Sequence, residues 1–179
     1  MGTFRRTAVR GAGMDMTLLS KTYAVRRLRE DDIPVVLQLC NGNPQYYAHC
    51  PPAVSAEGIR ADMRALPKGA GPQNKYYLGF WQGDGLAAVM DLILEYPNSD
   101  TAFIGFFMTD AGIQGRGIGS KIIAEALGCL RERFSLVRLG CVKGNAQSER
   151  FWRKNGFSPV KTAAQADGRE IIVMQKALA

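Results

Sequence analysis

The chain has 179 residues, 46% of them apolar, and its 23 Lys and Arg against 16 Asp and Glu leave a formal charge of +7. That length suits one domain with its own core, the apolar content excludes a disordered chain, and four cysteines are too sparse for a disulfide-stapled miniprotein. The longest stretch without a charged residue, Ile33 to Ala56, is broken by Pro34, Gly42, Pro44, Pro51 and Pro52, so no membrane-spanning helix is expected there.

Residues 1–20 carry Arg5, Arg6 and Arg10 without an apolar segment of the secretory kind, and read as a solvated basic tail ahead of a domain over 21–179. Tyr23 to Leu28 alternates as a first strand. Asp31 and Asp32 precede the apolar run Ile33 to Leu39, where acids favour the positive end of a helix dipole and Pro34 fits the first turn. Asn41 to Ala53 reads as a Pro/Asn/Gly loop, and Ser55 caps a second helix reaching about Leu66. Lys75 to Trp81 and Leu86 to Glu95 form a hairpin around Asp84-Gly85, followed by a third strand, Thr101 to Thr109. Ile118, Ile122, Ala126 and Leu130 then recur at helical spacing. Leu136 to Val142 is a strand, Asn145 to Lys154 a helix, and Phe157 to Val160 and Glu170 to Gln175 the last strands. The sum is a single-domain α/β protein with a mixed, mainly antiparallel sheet of about seven strands and about four helices.

Cys40, Cys50, Cys129 and Cys141 include no close pair and His49 is the only histidine, so no metal site is expected and the thiols read as reduced, as in a cytoplasmic protein. The chemistry concentrates in Gln114-Gly115-Arg116-Gly117-Ile118-Gly119-Ser120, between an apolar strand and an amphipathic helix. Glycines there let the backbone turn tightly and approach a ligand, and the first turn of the helix has unpaired N–H groups suited to a diphosphate. Arg116 adds a full charge beside them. A dinucleotide fingerprint read from Gly115 fails at Ser120, and a Walker loop fails because Gly119-Ser120-Lys121 reverses the required order.

The same residues resemble the cofactor loop of the GCN5-related N-acetyltransferase (GNAT) superfamily, Gln/Arg-x-x-Gly-x-Gly/Ala, with Gln114, Gly117 and Gly119 in place. A second block, Asn145, Ser148, Phe151, Trp152, Lys154, Gly156 and Phe157, resembles the superfamily's following helix at the right spacing, and Arg26, Arg29 and Asp32 resemble its opening. The resemblance spans residues 22 to 177. It implies a GNAT fold and transfer of an acetyl group from acetyl-coenzyme A to a primary amine of a small molecule or peptide. It further implies cofactor contacts at Phe107, Met108 and Thr109 on the strand, at Gln114, Gly115, Arg116, Gly117, Ile118, Gly119 and Ser120 in the loop, and at Asn145 and Ser148.

Two departures bear on mechanism. Where many members place a proton-donating tyrosine the chain has Trp152, whose indole is not an acid, and where some carry a glutamate base it has Phe103. Asp91 and Glu95, on one strand face by the period of two, are the candidate bases instead. Cys141 reads better as a buried thiol than as a donor. Tyr46, Tyr47 and His49 fall in a loop that, in the resembled fold, walls the acceptor pocket. The missing acid and base also fit a non-catalytic acetyl-coenzyme A sensor. A nucleic-acid partner for the basic tail is disfavoured because no aromatic residues interleave its charges, and no membrane partner is expected.

Overall fold

Tight turns order the three central strands, and helical connections place the others. The computed structural model describes residues 13–178. After β1 (Ala24–Arg27) come three helices, α1 (Ile33–Asn41), α2 (Pro44–His49) and α3 (Ala56–Asp62), then β2 (Lys75–Gln82), β3 (Gly85–Ile93) and β4 (Thr101–Thr109). These four strands are antiparallel neighbours in sequence order. Gly83, at φ 57°, and not the Asp84-Gly85 pair read from the sequence, supplies the positive φ of the tight β2–β3 turn. The chain then crosses over through α4 (Ile118–Leu130), which allows β5 (Leu136–Val142) to lie parallel to β4. After α5 (Ala146–Lys154), β6 (Ser158–Ala164) and β7 (Glu170–Ala177) complete the order β1-β2-β3-β4-β5-β7-β6.

Because strand residues alternate between faces, the sheet carries two cores. Leu78, Phe80, Met90, Leu92 and Ile104 pack with Ile122, Ile123, Ala126 and Leu130 of α4. On the other face Tyr77, Val89 and Met108 pack with Val36 and Leu39 of α1 and Ile59 of α3. Each such aliphatic side chain, when fully buried, contributes about 1.5–3 kcal/mol.

Several boundaries differ from the sequence expectation. There are five α-helices rather than about four, because the segment read as a loop contains α2, whose Pro44 occupies the first turn, where its missing N–H costs nothing. α3 stops at Asp62, short of Leu66. β3 ends at Ile93, since Glu95 adopts a left-handed φ of 56° that a strand cannot continue through. The expected domain start at residue 21 falls inside packed structure: Met16 and Leu19 are buried in the α4 core, and Glu125 receives the Ser20 hydroxyl at 2.5 Å, the Lys21 N–H at 2.9 Å and the Thr22 hydroxyl at 2.8 Å. Arg5, Arg6 and Arg10 lie outside the described residues.

The sheet opens in its middle. β4 and β5 pair only over Thr101–Ile104 and Leu136–Leu139, whereas β4 remains paired with β3 as far as Thr109. Beyond Ile104, therefore, the edge of β4 that faces β5 has lost its ladder partners.

Candidate active site

The turn from β4 into α4 is shaped by glycine. Gly115 and Gly117 lie at φ 75° and 76°, a region costly for any residue with a Cβ. No atom lies within 4 Å of where a Cβ would stand at either position, so backbone conformation and not crowding requires glycine there. Gly119 is different: a Cβ would meet Phe151 at 3.3 Å and Thr109 at 3.4 Å, so this glycine lets α4 pack closely on β4 and α5. Among the described residues no protein acceptor takes the N–H groups of Gly115, Arg116, Gly117, Ile118, Gly119 or Ser120, and Lys121 is the first to find one, the Gly117 carbonyl at 3.0 Å. Six unpaired donors at the positive end of a 13-residue helix form a site for a polyanion.

Side chains brace this loop. Gln114 Nε2 donates to Asn43 Oδ1 at 2.6 Å and to the Thr109 carbonyl at 3.2 Å, while Asn43 Nδ2 donates to the carbonyls of Leu39 at 3.0 Å and Thr109 at 3.1 Å. Gln114, expected to bind a cofactor, thus spends its amide donors on tying the loop to β4 and to the α1–α2 corner. Asn43 carries no signal in the sequence, where it falls in a stretch that reads as an unstructured connection. Asn145 is buried as the N-cap of α5, its side-chain oxygen accepting the Ser148 N–H at 3.1 Å.

Phe107, Phe151 and Trp152 make an aromatic floor: Phe107 and Phe151 stack at 5.9 Å between centroids, and Trp152 meets Phe151 at 5.0 Å and Phe157 at 5.2 Å. Trp152 is only 6% exposed. Phe107, Met108, Thr109, Gln114, Gly115, Gly117, Ile118, Gly119, Ser120, Asn145 and Ser148 join Asn43, Tyr46 and this floor around a cleft of about 520 Å³, a volume suited to a small-molecule ligand. Arg116 does not line the cleft; it projects from the loop as an exposed cation.

Outside the residues that line the cleft, on the β3 side of β4, lies a second group of side chains. Asp91 on β3 and Lys75 on β2 are 8% and 6% exposed and paired at 2.7 Å between Oδ2 and Nζ, while Asp91 Oδ1 is buried without a donor. Burial pushes the Asp91 carboxyl above the usual aspartate range, and the Lys75 ammonium pulls it part of the way back. Glu95 does not share this environment. The period-of-two placement beside Asp91 fails because the strand has ended; Glu95 instead pairs with Arg133 and receives the Asn74 amide at 3.3 Å.

Tyr46 meets Phe106 edge-on at 5.5 Å and Tyr47 at 5.1 Å, and burial raises both tyrosine hydroxyls above their ordinary range. His49 is exposed at the end of α2. Cys141 is 1% exposed, its thiol raised by burial, and Phe103 packs against Tyr96 at 5.5 Å. No group of three or more metal-ligating side chains occurs among the described residues, and none of their helices is long and apolar enough to cross a membrane.

Comparison with known proteins gives a consistent picture. Residues 43–157 match the acetyltransferase (GNAT) family. A mycothiol acetyltransferase from Beutenbergia cavernae is 36% identical over 84 residues, which is 46% of this chain but only 28% of that relative's length. Among solved structures, an acetyltransferase from Thermus thermophilus superposes with a TM-score of 0.71 at 17% identity, covering 88% of this chain and 97% of its own. The ribosomal-protein-S18-alanine N-acetyltransferase from Escherichia coli gives 0.61 at 17% identity, over 87% of this chain and 93% of its own. At these identities the structural likeness speaks for the fold alone.

Proposed function

The chain belongs to the acetyltransferase (GNAT) family, and from that premise we propose that it carries an acetyl group from acetyl-coenzyme A to a primary amine of a small molecule or peptide by direct attack, as an enzyme of the cytoplasm. The observation that carries this reading is the row of six unpaired N–H groups over Gly115–Ser120, a main-chain cradle for a diphosphate. The residues fit the cofactor in two further ways: the cleft has room for an extended arm, and β4 beyond Ile104 offers it unpaired backbone on the side facing β5. When bound, acetyl-coenzyme A supplies the activated thioester.

The chain's own residues do the rest. The loop amides hold negative charge, Arg116 adds an exposed positive charge outside the cleft, and Gln114 and Asn43 fix the loop's distance from β4. The aromatic floor of Phe107, Phe151 and Trp152 excludes water from one wall of the cleft. Asp91 is the carboxylate available to take a proton from the acceptor, and Trp152 serves packing rather than proton return. Holding amine and thioester together supplies most of the acceleration such a reaction needs, so an acid is dispensable if water returns the proton.

Isothermal titration of the full chain with acetyl-coenzyme A, followed by thiol release across a panel of primary amines, tests the proposal. Saturable binding and amine-dependent thiol release are expected; absence of binding overturns the reading. A non-catalytic acetyl-coenzyme A sensor is the second reading, favoured by Trp152 and Phe103 at the proton-handling positions. Tight binding with no amine acetylated above background would select it.

A further inference from the structure

Two breaks in the sheet fall on one residue. The parallel pairing of β4 with β5 ends at Ile104 and Leu139, and the register of β4 against β3 slips so that Asp91 faces Phe106 and Leu92 faces Ile104. Gly105 is left over on both sides. A bulged residue outside the left-handed region is open to most side chains unless its space is taken, and Gly105 has no positive φ. Here the space is taken. A Cβ on Gly105 would stand 2.6 Å from Asp91 Oδ2 and 3.2 Å from its Cγ, although Gly105 itself is exposed. The carboxylate therefore lies directly beneath a stretch of surface backbone that lacks a side chain. Gly140, the first β5 residue past Leu139, is also exposed, so glycine forms both walls at the apex of the opening.

The pair under that window is not what stability alone calls for. Asp91 and Lys75 are each more than nine-tenths buried, and Asp91 Oδ1 has no donor. A well-packed apolar pair would often serve the fold as well or better. A buried carboxylate with one oxygen held by Lys75 beside Gly105 and the other without a donor keeps an acceptor for a donor from outside the chain. Beside Gly105, Phe106 and Tyr46 pack edge to face, 5.5 Å between centroids.

Resting on the acetyl-transfer reading, we infer that Gly105 is the window through which an acceptor ammonium on an unbranched carbon reaches Asp91, and that Lys75 is the positioning residue that holds this carboxylate toward the window. Asp91 accepts one proton from the ammonium. The freed lone pair forms the C–N bond as the thioester C–S bond breaks, and the second nitrogen proton passes through water to the departing sulfur, giving a free thiol. Asp91 then returns its proton to solvent. The charged or titratable groups facing Asp91 are Lys75 and Tyr77 from β2 and Asp62 from the end of α3; β4 brings only Gly105 and Phe106. Burial and Asp62 favour the protonated acid, and Lys75 opposes them.

The test uses the full chain, acetyl-coenzyme A and n-propylamine as the probe, with coenzyme A affinity measured alongside. Gly105→Ala is expected to lower kcat/KM for n-propylamine by about tenfold or more while coenzyme A affinity stays within about twofold. In the Lys75→Met/Asp91→Ala background, which removes both charges together and leaves neither orphaned, adding Gly105→Ala is expected to change the rate by less than about twofold. The wild-type pH profile of kcat/KM should show an acid limb above the ordinary aspartate range, absent from that background. Near wild-type rates in Gly105→Ala, equal losses from it in both backgrounds, or a limb that survives removal of Asp91 would each overturn the inference. So would coenzyme A binding without any propylamine turnover. Failure to bind coenzyme A at all would instead overturn the transfer reading on which it rests.

Discussion

Two regions beside β4 are made of different materials. At the β4–α4 turn, recognition rests on main-chain N–H groups presented by left-handed glycines, with side chains serving only as braces. At Asp91 it rests on side chains drawn from β2 and β3, a buried charge pair, and a gap in β4. The first region should tolerate side-chain change and resist backbone change. The second should do the reverse, because an ion pair out of water depends on both partners being present.

The largest expected effect sharpens that contrast. Lys75→Met alone leaves a buried carboxylate without its counter-ion and should destabilise the fold by about 3–5 kcal/mol in urea titrations, whereas Lys75→Met/Asp91→Leu should recover most of the loss. Equal stability of the single and double variants would show that the pair is solvated in solution. Next comes the turn. Gly117→Val forces a β-branched residue to a φ of 76° and should cost about 1–2 kcal/mol, read as roughly 5- to 30-fold weaker acetyl-coenzyme A binding by calorimetry. Removing a brace is milder: Gln114→Ala gives up two neutral hydrogen bonds and should weaken binding by about fivefold, in line with roughly 1 kcal/mol. Smallest is Arg116→Gln, an exposed charge whose loss should matter by about twofold at low salt and vanish as ionic strength rises. A larger loss from Arg116→Gln than from Gly117→Val would reverse the ranking and make the loop a side-chain site.

This division also explains what the residue string could and could not disclose. Glycine spacing over Gln114–Ser120 was readable because left-handed backbone is a local demand, satisfied or refused within a few residues, and the α4 stripe was readable because helical periodicity is local too. The antiparallel run of β2, β3 and β4 followed from the turns between them in the same way. Lys75 and Asn43 were invisible, since their partners lie 16 and 66 residues away and meet only through strand pairing or the α1–α2 corner. The placement of Glu95 failed for a related reason: alternation predicts a shared face only while the strand lasts, and the left-handed turn at Glu95 ends it. α2 was missed because Pro44, surrounded by Asn and Gly, carries the same letters in a helical first turn as in a loop. Gly105 gave no signal at all, because nothing in an apolar strand distinguishes a glycine kept for space from one that is incidental.

Recognition in this cleft stands on the unpaired amides of the β4–α4 turn. Titration of the ¹⁵N-labelled chain with acetyl-coenzyme A, followed by amide NMR, reads them one at a time. The largest shifts are expected at Gly115, Arg116, Gly117, Ile118, Gly119 and Ser120; a titration that saturates while these six signals stay in place would contradict the account.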